Sequence, residues 1–117
     1  MTITEEQKRI LINKETEIAF TGKYLYNKER GGYLCAVCGN KLFSSKTKYD
    51  SGSGWPSFYK AEKNKIKEEK EKGFLGRTEI MCSKCGSHLG HIFKDGPKPT
   101  GLRYCVNSVA LNFKRKK

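Results

Sequence analysis

The stretches CAVCG (residues 35–39) and CSKCG (residues 82–86) share the pattern Cys-x-x-Cys-Gly. A tight turn of this kind points two sulfurs at one cation, and the glycine lets backbone amides approach the thiolates. Because 43 residues separate the two pairs, a shared metal would connect distant parts of the chain. We therefore expect one structural Zn²⁺ per chain, in a closed tetrahedral site. Its four ligands would be Cys35, Cys38, Cys82 and Cys85.

Three other uses of these cysteines remain open. The pairs could be redox dithiols, or they could form two disulfides. Alternatively, the histidines at 88 and 91 could complete a Cys₂His₂ site with Cys82 and Cys85. Only two residues lie between Cys85 and His88, whereas a zinc finger has about 12 at that position. In the Cys₄ arrangement both histidines are available for other chemistry.

The composition indicates a single domain over residues 1–117. The formal charge is +12, from 24 Lys and Arg against 12 Asp and Glu. The lysines are scattered through loops and a basic tail at 114–117, which predicts a solvated basic surface and no nucleic-acid partner. No apolar run reaches the ~18 residues of a membrane span, and the N-terminus does not resemble a signal peptide. We expect a cytoplasmic monomer without a membrane partner.

The local patterns predict a mainly β chain after one N-terminal helix. Residues 4–14 have helix signals, with Thr4 as the cap and acidic residues in the first turn. Residues 60–72 are almost wholly charged. This composition predicts a segment exposed on the surface, and a helix is the conformation that we consider for it. Turn residues separate the strand-like fragments, which are 41–43, 79–81, 89–93 and 103–113.

Cys105, in GLRYCVNS, is the only cysteine without a partner three residues away. In an extended strand Arg103, Cys105 and Asn107 share one face. An arginine beside a thiol lowers the thiol pKa, and the thiolate is the attacking species. A buried unreactive cysteine is the usual alternative. Arginine and asparagine are poor core residues, so the pattern favours a nucleophilic Cys105.

Two further stretches contain candidate site residues. SHLGHIFKDG (residues 87–96) contains both histidines, and a bulge at Gly90 would bring His88 and His91 to one cleft. Imidazole can donate a proton to a leaving oxygen near neutral pH. In SGSGWPSF (residues 51–58) the glycines before Trp55 leave room for a ligand against the indole, with core packing as the alternative.

These motifs together resemble the methionine-R-sulfoxide reductases, the B-type (MsrB/SelR) family. The likeness runs through residues 20–39, 39–61 and 82–113, and covers about residues 15–113. It implies a mainly β fold of two antiparallel sheets with short N-terminal helices, and a structural zinc remote from the catalytic cysteine. It also implies reduction of the R epimer of methionine sulfoxide, chiefly in oxidised proteins.

The resemblance also implies roles for individual residues. Cys105 is the implied nucleophile, and Trp55, with Phe93, would form an apolar subsite for the methyl group of the substrate. His91 is our choice for the proton donor to the sulfoxide oxygen. The remaining implied catalytic residues organise the polar side of the site or support the thiolate, and they are His88, Asn107, Arg103 and Asp95.

One position departs from the family pattern. Many members carry a resolving cysteine where this chain has Ser53. We therefore predict that Cys105 forms no intramolecular catalytic disulfide, and that thioredoxin, glutaredoxin or a small thiol attacks its sulfenic acid directly. A different class of function is also considered, a basic zinc-binding module that holds nucleic acid or protein without catalysis. Such a module has no need for the residues gathered around Cys105.

Overall fold

The structure is a computed structural model that describes Glu5, residues 19–70 and residues 77–116. The predicted helix at 4–14 lies outside these residues apart from Glu5, which is helical. Two short 3₁₀ turns, Ser45–Thr47 and Ser108–Ala110, interrupt the described strands. Those strands are β1 (Gly31–Cys35), β2 (Lys41–Ser44), β3 (Lys48–Tyr49), β4 (Ser57–Phe58), β5 (Ile66–Lys70), β6 (Thr78–Cys82), β7 (His88–Phe93), β8 (Arg103–Val106) and β9 (Leu111–Arg115).

The strands form two antiparallel sheets. One has three strands in the order β2-β1-β9, and the other has six in the order β3-β4-β8-β7-β6-β5. This confirms the prediction of a mainly β fold with two antiparallel sheets. In the part of the chain that the structure describes, no helix is long and apolar enough to cross a lipid bilayer.

Most predicted strand fragments lie inside observed strands, with two differences. The fragment 103–113 is divided by the turn at Ser108–Ala110, so β8 and β9 belong to different sheets. Over its described residues, 60–70, the charged segment is mostly exposed as predicted, but a helix is wrong for Ile66–Lys70, which pairs with β6 as an edge strand. Backbone hydrogen bonds to β6 decide this conformation, and charged side chains protect such an edge from further pairing.

Aromatic side chains from both sheets pack into one core. Phe43 of β2 stacks on Phe58 of β4 with ring centroids 4.3 Å apart. Tyr104 of β8 meets Phe43 edge-on at 5.6 Å. Tyr104 and Val106 are buried in this core, and alternate residues of a strand point to opposite faces. Core packing therefore directs Cys105, which lies between them, to the other face of the sheet.

Candidate functional site

Four cysteine sulfurs meet where the turn after β1 approaches the turn after β6. The Sγ atoms of Cys35 and Cys85 are 3.6 Å apart, as are those of Cys38 and Cys82, and all four lie within 4.8 Å of one another. Zinc with Zn–S bonds of about 2.3 Å holds its sulfurs about 3.8 Å apart in a tetrahedron, so the cluster fits this ion. Among the described residues the cluster includes neither histidine, and all the cysteines are free thiols. The Cys₂His₂ and disulfide alternatives are therefore wrong.

Both cysteine turns have the geometry that their glycines permit. Gly39 and Gly86 have φ values of 80° and 78°, a region that other residues rarely adopt. The Gly39 N–H donates to the Cys35 carbonyl, and the Gly86 N–H donates to the Cys82 carbonyl. The two turns are therefore built alike and offer their sulfurs from opposite sides of the cluster.

The thiols of the cluster differ in how readily they ionise. Burial raises the pKa of Cys35 to about 12. Burial also opposes ionisation of Cys82, but hydrogen bonds from the backbone of Cys85 and Lys84 and from the Asn40 side chain lower its pKa to about 7. A metal ligand must be deprotonated, so a thiolate at Cys82 favours binding of a cation.

Cys105 lies in a polar row that crosses five strands of the larger sheet. Directly paired residues of antiparallel strands share a face, and Cys105 is paired with His91 on β7 and with Ser57 on β4. The row continues beyond His91 to Glu79, and beyond Ser57 to Tyr49. Cys105 is the one cysteine outside the four-cysteine cluster and is partly exposed. A thiol in this position is accessible to a substrate on the outer face of the sheet.

The bulge predicted at Gly90 is present in β7. Ile80 pairs with Gly90 while the next residue of β6 pairs with His88, so the register shifts at Leu89. The rings of His88 and His91 lie beside each other, with centroids 5.7 Å apart. A Cβ atom at position 90 would overlap the carbonyl oxygen of Cys105, so the close approach of β7 and β8 requires glycine here.

Asn107 stabilises this bulge. Its backbone N–H and its side-chain Nδ2 both donate to the Leu89 carbonyl, at 2.9 and 3.1 Å, and the side chain is buried. The amide therefore holds the segment of β7 that lies between the two histidines.

Glu79 is a site residue that the sequence analysis missed. Its Oε2 lies 2.7 Å from Nδ1 of His88, and both side chains are buried. A buried carboxylate at this distance accepts the Nδ1–H bond, which selects one tautomer of the imidazole and fixes the ring. The available signal was a carboxylate next to Ile80 and Met81, since buried acidic residues are rare unless they are paired.

Arg103 is held beside Cys105 by two neighbours. Its Nε and Nη2 donate to the two carboxylate oxygens of Asp95 at 2.8 and 3.1 Å, and its guanidinium lies 4.2 Å from the ring centre of Phe93. The hydrogen bonds from Arg103 lower the pKa of Asp95, and those to Asp95 raise the pKa of Arg103, with a smaller contribution from Cys105. A permanent cation is thus fixed close to the thiol.

The loop that contains Trp55 lies against Cys105. Ser53 Oγ is 3.8 Å from Cys105 Sγ, and the Pro56 carbonyl accepts a hydrogen bond from the Val106 N–H at 3.0 Å. Trp55 is half-buried and lies between these two contacts in the chain. The loop is therefore fastened to β8 on both sides of the tryptophan.

A chain of hydroxyl groups extends from Cys105 through this loop. Ser51 Oγ lies 2.8 Å from Ser53 Oγ and 2.7 Å from Ser57 Oγ, and Ser57 donates to the Trp55 carbonyl at 3.1 Å. Each hydroxyl has one proton, so these contacts form together only if Ser51 donates to Ser57 and Ser53 donates to Ser51. Ser53 then presents a lone pair to the Cys105 thiol.

Residues 3–115 match the family model of the SelR domain. The chain belongs to the SelR family. Relatives from Leptospira interrogans and Methanosarcina barkeri, both named peptide methionine sulfoxide reductase MsrB, are 57% and 56% identical to it over 115 residues. The alignments cover 97% and 96% of this chain and 88% and 80% of the relatives. Membership of the SelR family makes the chain an enzyme, an oxidoreductase that acts on sulfur.

A solved structure of more distant sequence shares the SelR chain's fold. The Yippee-like domain of Mis18 superposes with a TM-score of 0.60 at 15% identity, over 76% of this chain and 99% of that domain. At this identity the likeness concerns the fold alone.

The structure of this SelR chain brings the predicted site residues to one part of the larger sheet. His91 is directly opposite Cys105, and Arg103 is two residues before it on the same face. Asp95 reaches the site through Arg103, and Asn107 reaches it through the Leu89 carbonyl. The arrangement brings a partly exposed thiol together with a buried imidazole and a fixed cation, which is suited to nucleophilic attack coupled to proton transfer.

Proposed function

We propose that this SelR chain reduces methionine-R-sulfoxide in oxidised proteins to methionine, with Cys105 as the nucleophile. The observation that supports this most directly is the pairing of Cys105 with His91 across two strands, beside Arg103. The relatives' printed name supports the substrate, since they are peptide methionine sulfoxide reductases. The reaction would repair methionine residues that have been oxidised in folded or unfolded proteins.

The first step forms a sulfenic acid. The sulfoxide sulfur is electrophilic, but its oxygen leaves only when it is protonated, so attack requires a proton donor. The Cys105 thiolate forms a bond to this sulfur while His91 donates a proton to the oxygen. The hydroxyl group then transfers to the Cys105 sulfur, as the S–O bond of the substrate and the new S–S bond both break. The oxygen ends on Cys105 as S–OH, and methionine departs as the thioether. The cysteine loses two electrons and the sulfoxide gains them.

Selection of the R epimer would follow from the shape of the site. Trp55 and the open side of Phe93 would receive the methyl group, while the oxygen meets His91, with His88 next to it. The S epimer exchanges these two substituents, so its oxygen would meet the apolar surface. A polar group on an apolar surface loses its hydrogen bonds to water without compensation.

An external thiol would return Cys105 to its reduced form. A thiol condenses with the sulfenic acid to give a mixed disulfide and water, and a second thiol releases the Cys105 thiol as a disulfide forms between the two reductants. Thioredoxin, glutaredoxin and small thiols are all able to supply this pair of electrons. All proposed site residues come from one chain, so a monomer in the reducing cytoplasm is sufficient for the cycle.

We also propose that the four-cysteine cluster holds one structural Zn²⁺ and that the whole chain is one domain. Four sulfurs complete a tetrahedral shell and leave no position for a substrate. The ion would fasten the β1–β2 hairpin of the small sheet to the β6–β7 hairpin of the large one. Replacing Cys82 with Ser should therefore remove the zinc and lower the thermal unfolding midpoint by roughly 10 °C or more, measured by metal analysis and calorimetry.

The decisive experiment uses both epimers of dabsylated methionine sulfoxide with dithiothreitol as the reductant. We expect turnover of the R epimer only, and none by the Cys105→Ser variant. Mass spectrometry after a single turnover without reductant should find one added oxygen on the Cys105 peptide. Unchanged zinc content and unfolding midpoint in Cys105→Ser would show that the variant is folded. Turnover by that variant, or of the S epimer, would refute the proposal.

A further inference from the structure

We propose that a basic groove on the smaller sheet binds acidic segments of the protein substrate, an inference that rests on the proposed function. The groove has a volume of about 1150 Å³ and lies over β1, between the edge strands β2 and β9. Residues drawn from 28–34, 41–47, 60–62 and 114–116 line it. Pockets for small ligands measure about 300–1,000 Å³, so the groove has room for a segment of a polymer.

The floor of the groove is the face of β1 that points away from the core. Tyr33 is buried in the core, while Gly32 and Leu34 on either side of it face the groove. The register places Ser44 and Lys114 on either side of Gly32. Because Gly32 has no side chain, the floor is low between its neighbours and the surface is concave.

The lining is strongly cationic. It contains eight Lys or Arg residues and one acidic residue, Glu62, and all eight cationic side chains are exposed. The sequence distributes these residues over four separate segments, and the fold gathers them around one concave surface. Like charges that surround a concavity focus the electrostatic field and attract an oppositely charged partner.

Carboxylates already bind at this surface. Lys41 lies 3.5 Å from Glu62, and Arg115 lies 3.5 Å from Glu29, in two exposed ion pairs. Such pairs are weak and readily exchanged for others in water. The carboxylates of an acidic segment can therefore take their place and reach the remaining cations.

An acidic polypeptide fits the lining better than a nucleic acid does. Proteins that bind single-stranded nucleic acid stack its bases on aromatic side chains, and none of the lining residues in the described part of the chain is aromatic. Most of the cations are lysines, whereas planar recognition of phosphate favours arginine. An extended acidic polypeptide binds a lysine-rich surface through charge attraction, and it needs only enough space to lie along that surface.

Two lining residues of the groove belong to the same chain segments as strands β3 and β4, which lie on one side of Cys105 in the larger sheet. Lys46 lies in the turn before β3, and Lys60 follows β4 by two residues. Ser57 of β4 is the strand partner of Cys105. Lys60 is three residues from Ser57, at most about 11 Å along the chain, so this edge of the groove lies near the strand partner of Cys105.

The test compares two peptides with the same central methionine-R-sulfoxide, one with a flanking run of Asp and Glu and one with Asn and Gln. Dithiothreitol is the reductant, so the peptide is the only other macromolecule present. We expect a KM about tenfold lower for the acidic peptide, because each exposed charge contact contributes about a factor of two. The difference in KM should vanish at high salt. It should also vanish in a variant in which four lysines of the groove, Lys28, Lys46, Lys60 and Lys114, are all replaced with Gln.

The matched control changes four exposed lysines outside the groove in the same way, Lys63, Lys67, Lys70 and Lys98. This control should keep the preference for the acidic peptide, and both variants should reduce dabsylated methionine-R-sulfoxide as the parent does. Equal KM values for the two peptides, or an equal loss of preference in the control, would overturn the inference.

Fluorescence anisotropy of the labelled acidic peptide measures binding to the groove without turnover. Failure of the reaction with retained, lysine-dependent binding would refute the proposed function and leave the groove assigned to acidic polypeptides. A single-stranded oligonucleotide serves as the competing probe. Tighter binding of this probe, lost in the groove variant, would assign the groove to nucleic acid and overturn the inference.

Discussion

The Ser53 hydroxyl lies 3.8 Å from the sulfur of Cys105. The same hydroxyl contacts Ser51, which contacts Ser57 of β4. Ser53 is thus held toward Cys105 by a hydrogen-bonded neighbour. A thiol in its place would be the nearest partner for an oxidised Cys105.

Replacing Ser53 with Cys should therefore create an intramolecular disulfide. The γ atoms must approach from 3.8 Å to about 2.05 Å, a change that side-chain rotation in a loop can provide. After one turnover without reductant, we expect mass spectrometry to find a disulfide between positions 53 and 105. The parent should show only the sulfenic acid of Cys105. Ser51→Cys is the control, since Ser51 is one hydroxyl further along the chain, and a disulfide in that variant would contradict the geometry.

Replacing Glu79 with Gln should lower kcat by about tenfold while changing KM little, because a neutral amide holds the His88 Nδ1–H bond less firmly than a carboxylate. His88 packs against His91, so a shift of the first ring displaces the second. The ¹⁵N chemical shifts of the His88 ring, which report its tautomer, should change as well.

Glu69→Gln is the matched control, since Glu69 is the exposed strand partner of Glu79 on β5. It should leave both kcat and the His88 spectrum unaltered. A Glu79→Gln variant with lower stability but unchanged kcat and ¹⁵N shifts would show that Glu79 has a purely structural role.

The sequence contains enough information for the features that depend on local geometry. The repeated Cys-x-x-Cys-Gly motif predicts the four-sulfur cluster because the turn itself directs both sulfurs. The orientation of Cys105 follows from Tyr104 and Val106, whose apolar side chains must enter the core. The bulge at Gly90 is likewise a local consequence of glycine next to a spaced pair of histidines.

Features that depend on distant pairing could not be predicted in this way. Strand β5 has no apolar alternation, and it is extended because β6 offers it hydrogen bonds. Glu79 and His88 meet only because the bulge shifts the register of β7. The basic groove likewise combines residues from four segments, and no pattern within one segment indicates it.

Replacing Asp95 with Asn should weaken the hold on Arg103 and lower kcat/KM by about tenfold, since charge-assisted hydrogen bonds are about twice as strong as neutral ones. The pKa of Asp95 is lowered, so this carboxyl is ionised at every pH above its ordinary value of about 3.9. The ratio of kcat/KM between parent and variant should therefore be constant from about pH 5 to 9. Lys94→Gln, at the neighbouring exposed position, should have no such effect, and a ratio that changes within this window would contradict the role of Asp95.

Replacing Gly90 with Ala should destabilise the protein and impair catalysis together. The added methyl group would overlap the Cys105 carbonyl oxygen, which is backbone and cannot rotate away, so β7 and β8 must separate. Overpacking of this kind costs about 1–3 kcal/mol of unfolding free energy, measurable by urea denaturation. Because Cys105 is opposite His91 on these strands, kcat should fall more than KM rises.

The control for this substitution is Gly32→Ala, in a strand of the other sheet. There the added methyl group meets the end of the Lys41 side chain at 3.1 Å, and a flexible lysine can move aside. We expect the unfolding free energy of this control to change by less than about 0.5 kcal/mol, with kcat unaltered. Full activity in Gly90→Ala would show that the reaction does not require the close approach of β7 to the Cys105 backbone. The proposed transfer of a proton from His91 would then need another geometry.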